Sequence, residues 1–279
     1  MNIMAKIHSS ITVNRSRVCC GLDPDPALMP LEHRTNPGNL AHDVAAFLIE
    51  SADIVAPHIC AWKLQKAFYD LIPSGDTVLA RVIDHIRTNY PDTVTIIDSK
   101  AGDVRHTMMA YVSNSLERLG ADGLVVNPLM GDDVLEPFAS LPNKMGVVLV
   151  RTSNPGAAVI QDAPMADGRP LWQHLLDLVF DRWNTAGNLL PVLSCQVIGS
   201  PWVLARVPKG TAVFVAGFGA QGGAVQDLGL LLRSEHEFLV NASRSLLYPY
   251  SPTNLDWRRS IQQAVVQMKT ALNNLKGVK

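Results

Sequence analysis

The sequence predicts an α/β fold, a single-domain (β/α)8 TIM barrel, from three observations. Eight short runs rich in apolar and β-branched residues recur along its 279 residues. Longer segments with helical periodicity lie between many of them. The runs are apolar at successive positions, as strands covered on both faces must be, which places them in a parallel sheet sheathed by helices. A doubly wound open sheet is the competitor. It would need edge strands, and none of the eight runs is conspicuously polar. Eight units in under 300 residues fit one closed barrel spanning 1–279, with no linker-like composition to mark a boundary.

In chain order, "RVCCGLD" (17–23) is the first strand candidate, and Asn39 to Ala52 reads as a helix after it. "HICAWKL" (58–64) precedes a helical stretch from Asp76 to Asn89, and "TVTIIDS" (93–99) precedes one from Arg105 to Leu119. "GLVVN" (123–127) and "MGVVLVRTS" (145–153) follow, then a helix from Pro170 to Ala186. "LPVLSCQVIG" (190–199), "AVFVAG" (212–217) and "EFLVNAS" (237–243) complete the eight, and Asp256 to Leu275 reads as a closing amphipathic helix.

The bulk numbers remove several function classes. Net charge is −1, which leaves no electrostatic footprint for nucleic acid or an anionic membrane. The first twenty residues contain no continuous apolar core of a signal peptide, and no apolar stretch reaches membrane-spanning length. A cytoplasmic location is therefore expected. Cys19, Cys20, Cys60 and Cys195 lack C-x-x-C spacing and sit mainly in apolar stretches, which reads as buried free thiols rather than a zinc site.

In barrels of this type, chemistry sits where strands end and loops begin. Polar residues gather at those ends: Asp23, Lys63, Asp98, Lys100, Asn127, Ser153, Gln221 and Arg244. The densest cluster is "IIDSKAGDV" (96–104), with Asp98, Lys100 and Asp103 after an apolar run. Alternation along a strand turns Asp98 and Lys100 to the same side, and Lys63 ends another strand within reach. An array of Lys63, Asp98, Lys100 and Asp103 would hold each lysine protonated between carboxylates, a good proton donor and a poor nucleophile. The same charges also suit a structural salt-bridge network.

Two later stretches point to an anion. "GFGAQGG" (217–223) follows a strand, and its four glycines allow backbone N–H groups to approach a phosphate closely. "NASRS" (241–245) follows the next strand and offers Arg244 as a charged fork. The loops after the seventh and eighth strands are the usual phosphate position in such barrels. By itself the glycine cluster also suits a flexible turn.

Taken in order, "GLDPDP", "WKLQKAF", "DSKAGDVRHT", "NPLMG", "TSNPGA", "GFGAQGG" and "NASRSLLY" resemble orotidine 5'-phosphate decarboxylase, in its longer bacterial branch (type 2). The resemblance runs from about residue 18 to residue 250. It implies a cofactor-free, metal-free barrel homodimer that converts orotidine 5'-monophosphate to UMP and carbon dioxide, the last step of de novo pyrimidine biosynthesis. By motif, Lys63, Asp98, Lys100 and Asp103 match the charged catalytic tetrad, with Asp103 and Thr107 reaching the neighbouring subunit's site. Asp23 matches a ribose-binding aspartate and Ser153 a serine that contacts the pyrimidine. Gln221, Gly222 and Arg244 fall on the phosphate side.

Three positions depart from the pattern: Ala101 replaces a usual arginine, Ala216 a proline and Leu129 a common aromatic. None is a charged catalytic position. Two other readings remain: a magnesium-dependent phosphosugar decarboxylase or aldolase on the same barrel, and a nucleotide-binding pseudoenzyme. Chelation by EDTA separates the first, and a turnover measurement the second.

Overall fold

The computed structural model describes residues 2–35, 38–217, 225–233 and 236–277, with backbone alone for 225–227 and 276–277. Eight parallel strands close into a barrel in chain order: β1 (Val18–Gly21), β2 (Ala61–Gln65), β3 (Val94–Ala101), β4 (Gly123–Val126), β5 (Met145–Arg151), β6 (Leu189–Ser194), β7 (Ala212–Ala216) and β8 (Glu237–Ala242). β8 returns to β1 through the pair Cys19↔Asn241, so both sides of every strand are hydrogen-bonded. All eight expected runs form strands. Those at 145–153 and 190–199 end early, at Arg151 and Ser194, where the chain turns out toward the mouth.

Alternation divides the core into two. Val18, Cys20, Trp62, Leu64, Ile97, Leu124, Val126 and Val148 face outward and pack under the helices. Cys19, Ala61, Ile96, Val125, Val147, Leu190, Val192, Phe214 and Leu239 face inward and fill the barrel axis. By this parity Lys63 and Gln65 on β2, and Asp98 on β3, continue the inward set at the C-terminal end.

The expected helices appear at Leu40–Val55, Gly75–Asn89, Arg105–Val112, Leu171–Leu178 and Trp257–Asn273. Two of them run on as π-helical turns, Ser113–Arg118 and Val179–Trp183. Among the described residues seven further α-helices lie outside the sequence expectation, the longest of them Ile3–Asn14, Val225–Arg233 and Pro201–Arg206. The first is capped by Asn2, whose side chain accepts from Met4 N–H at 2.8 Å, and it ends at Arg15 in left-handed backbone. Its Ile3, Ile7 and Ile11 join the barrel-axis cluster and stopper the N-terminal end. Burying each contributes about 1.5–3 kcal/mol. The four cysteines are buried, and none of them is joined to another by a disulfide. No helix of the described residues is long and apolar enough to cross a membrane.

Candidate active site

At the C-terminal mouth four charged side chains, one from the loop after β1 and three from β2 and β3, form one connected series. Lys63, near the end of β2, has its Nζ 3.5 Å from Asp23 Oδ1 and 3.3 Å from Asp98 Oδ2. Lys100 Nζ donates to Asp98 Oδ1 at 2.8 Å. The order is Asp23, Lys63, Asp98, Lys100, alternating in sign and summing to zero. Lys63 is buried, and burial alone would favour its neutral form. The Asp23 and Asp98 carboxylates override this and hold its ammonium above the ordinary lysine range. Lys63 is thus a fixed cation, while the Lys100 side chain is 46% exposed and faces the open mouth.

Simple alternation is not what brings Lys100 to Asp98. The β3–β4 register runs Asp98↔Val125 and then jumps to Ala101↔Val126, a bulge at Ser99 and Lys100. Lys100 itself adopts φ 49°, left-handed backbone that is unusual for a side chain bearing a Cβ. The bulge re-aims the lysine after the regular strand has placed the aspartate.

Asp103 does not complete an alternating array within one chain. It lies just beyond β3, where its carboxylate accepts from Val104 N–H at 2.7 Å, and it has no ion pair among the described residues. Within this chain Asp23 takes the second-carboxylate position, beside Lys63, so Lys100 pairs with Asp98 alone among the described residues. Thr107 sits half-buried in the first turn of helix Arg105–Val112. Exposed apolar side chains lie near these two residues, Val104, Met109 and Tyr111 with Leu129 and Met130 on the neighbouring turn, among the exposed Arg105 and His106.

Of the remaining expected residues, Ser153, Asn127 and Arg244 occupy the rim. Ser153 follows β5 and is half-buried, its hydroxyl without a partner among the described residues. Its loop is anchored by a two-point ion pair from Arg151 to Asp162 (2.8 and 2.9 Å) and by Thr152 N–H donating to Gln161 Oε1 at 2.8 Å. Arg244 begins the turn after β8, exposed and without an ion pair among the described residues. This turn crosses close over β1: a methyl on Gly21 would come within 1.9 Å of Ser243 Oγ, so only glycine fits there. Asn127 has a turn role, accepting from Leu129 N–H. Gln221 and Gly222 lie outside the described residues. Of the three departures, Ala101 is buried in the outer core, Ala216 ends β7 against the inner one, and Leu129 is exposed.

Several contributors escape a reading of the sequence. Tyr248 accepts from Asp25 N–H at 2.8 Å and donates to the Asp23 carbonyl at 3.0 Å, clamping the loop that carries Asp23. Tyr69 donates to the Leu22 carbonyl at 2.8 Å from the other side. Gln65, two positions beyond Lys63 on the same face of β2, donates its backbone N–H to Asp23 Oδ1 at 3.2 Å. Its spacing from Lys63 is the available signal. The two tyrosine clamps have none.

A model of the "Orotidine 5'-phosphate decarboxylase / HUMPS family" matches residues 16–229. Over 279 residues the chain is 32% identical to a protein of Bordetella pertussis named orotidine 5'-phosphate decarboxylase, covering 98% of each. It is 32% identical over 274 residues to one of the same name from Herpetosiphon aurantiacus, covering 97% of this chain and 99% of the other. Among solved structures it resembles Leishmania donovani UMP synthase, with a TM-score of 0.80 at 25% identity, spanning all of this chain but 57% of that one. Leishmania donovani OMP decarboxylase shares the fold, with a TM-score of 0.79 at 23% identity over 100% of both chains.

Proposed function

Because this chain belongs to the orotidine 5'-phosphate decarboxylase / HUMPS family, we propose that it converts orotidine 5'-monophosphate to UMP and carbon dioxide, as a carboxy-lyase of pyrimidine biosynthesis. The observation that carries this reading is the Asp23–Lys63–Asp98–Lys100 series at the barrel mouth.

The chemistry asks for stabilised negative charge at carbon. Breaking the bond between C6 and the carboxylate leaves its electron pair on C6, with no carbonyl placed to delocalise it. A fixed ammonium close to that carbon lowers the cost in a water-poor pocket. Lys100 supplies this charge, then transfers a proton from Nζ to C6, giving UMP, and regains a proton from water. Asp98 lies beside the departing carboxylate, and their repulsion is relieved as carbon dioxide leaves. Lys63, clamped between two carboxylates, holds Asp98 in place.

Asp23 engages the ribose and Ser153 the pyrimidine. Gln221, Gly222 and Arg244 grip the phosphate, so that binding energy remote from C6 serves the transition state. The Arg244 guanidinium, exposed and without an ion pair among the described residues, supports that assignment. Asp103 and Thr107 serve the site of a second copy in a homodimer. The Asp103 carboxylate, with no ion pair among the described residues, and the exposed apolar side chains near it support this arrangement. A cytoplasmic location fits such a pathway enzyme and its four buried cysteines, which form no disulfide with one another.

The deciding assay follows ultraviolet absorbance of orotidine 5'-monophosphate with purified protein, with and without EDTA. Steady loss of absorbance in both supports the proposal. No turnover overturns it, and turnover abolished by EDTA favours the magnesium-dependent branch.

A further inference from the structure

The side-chain amide of Gln65 lies between the two groups assigned to the chemistry. Its nitrogen is 3.1 and 2.7 Å from the two carboxylate oxygens of Asp98 and 2.8 Å from the Asp98 carbonyl, and its oxygen is 3.3 Å from Lys100 Nζ. The opposite orientation would set N–H groups against an ammonium and an oxygen against a carboxylate, so the neighbours fix the amide. Its backbone N–H holds Asp23, so this one residue touches both carboxylates of the series.

We propose that Gln65 is a positioning residue that fixes the relative geometry of Asp98 and Lys100 for decarboxylation, an inference that rests on the function proposed above. Lys100 stands on a bulge, is half exposed, and has Asp98 as its sole ion partner among the described residues. One ion pair leaves an ammonium on a four-carbon stem free to swing. A second acceptor, tied to the same carboxylate, fixes its direction. The neutral amide does this without disturbing the charge balance. A carboxylate at 65 would add a negative charge facing an anionic substrate and could not donate to Asp98. An amine would repel Lys100. Asparagine is one methylene shorter from the same Cα. The charged groups around the amide are Asp23 on the β1 loop, Lys63 on β2, and Asp98 and Lys100 on β3. The next residue, Lys66, pairs away with Asp70 and Asp76.

The test compares wild type, Gln65→Leu and Gln65→Glu by kcat and KM for orotidine 5'-monophosphate across pH, with UMP affinity and thermal unfolding alongside. Gln65→Leu is expected to lose about 10- to 100-fold in kcat, the scale of a hydrogen bond to a charged group, with KM and UMP affinity little changed. Gln65→Glu is expected to lose at least as much at neutral pH. Its kcat should then climb as pH falls and the introduced carboxylate protonates, since the acid form again donates to Asp98, over a range where wild-type kcat is flat. Unchanged kcat in Gln65→Leu, a loss confined to KM, or a Gln65→Glu profile parallel to wild type each overturns the proposal. If Gln65→Leu does not fold, the near-isosteric Gln65→Glu profile decides. An inactive wild type overturns the function itself, whereas an active wild type with indifferent variants overturns Gln65 alone.

Discussion

At the N-terminal end of the barrel, Ile3, Ile7 and Ile11 press into the axis, and the polar chemistry nearby includes rim ion pairs, Lys6 with Asp122 at 2.8 Å and Arg17 with Glu237 at 3.3 Å. At the C-terminal end the same axis finishes in Asp23, Lys63, Asp98 and Lys100, with a bulge and a left-handed lysine in place of regular strand. One end lowers its free energy by excluding water. The other keeps charges in a shape that the free chain would not choose. This barrel thus separates stability from chemistry along one axis, and substitutions at the two ends should divide accordingly.

The largest effect is expected at the mouth. Lys100→Ala should lower turnover by roughly 10⁴-fold or more, since it removes the proposed charge facing C6 together with the proposed proton donor. It should remain folded and still bind UMP. Near wild-type decarboxylation by this variant would end the assignment of Lys100.

Mixing tests whether the mouth is shared between two copies. Lys100→Ala and Asp103→Ala homodimers should each be nearly inactive. After subunit exchange, half the dimers are mixed and each carries one intact site, so activity should return to about a quarter of wild type by two-fold symmetry. Differently tagged chains that exchange without any recovery would place Asp103 in its own chain's site.

Arg244→Ala should reduce kcat/KM for the nucleotide by roughly 10- to 100-fold, while orotidine, which has no phosphate, is affected far less. Equal losses on the two substrates would give Arg244 another role. At the closed end, Ile7→Ala should lower unfolding free energy by about 2–5 kcal/mol and leave kcat unchanged. Denaturant titration beside the absorbance assay reads both. A loss of kcat without a loss of stability would show that the two ends are coupled.

The barrel is legible in the sequence because strands buried on both faces leave continuous apolar runs, and helices between them leave a 3.6-residue period. Helix Ile3–Asn14 is not. It has one narrow isoleucine stripe interrupted by Ser9, Ser10 and Thr12, and the barrel interior that stabilises it is formed by residues far along the chain. Alternation predicts that Asp98 and Lys100 meet, but a bulge produces the pairing, and a lysine carries no local signal for positive φ. Tyr248 grips the Asp23 loop from the far end of the chain, a contact that only the closure of β8 onto β1 creates. Spacing puts Asp103 in the charged cluster, yet in this chain it stands apart, because spacing along the sequence does not fix where a side chain just beyond the strand end points.

The φ of 49° at Lys100 has a bearing on how far this protein can be improved. A residue with a Cβ in that conformation costs on the order of 1 kcal/mol, which glycine would recover. Lys100→Gly should therefore resist denaturant better than Lys100→Ala by about that amount, with both inactive. A search for thermostable variants that scores folding alone would favour this glycine early and lose the enzyme in doing so. Position 100 thus marks where evolution toward robustness and evolution toward turnover part company.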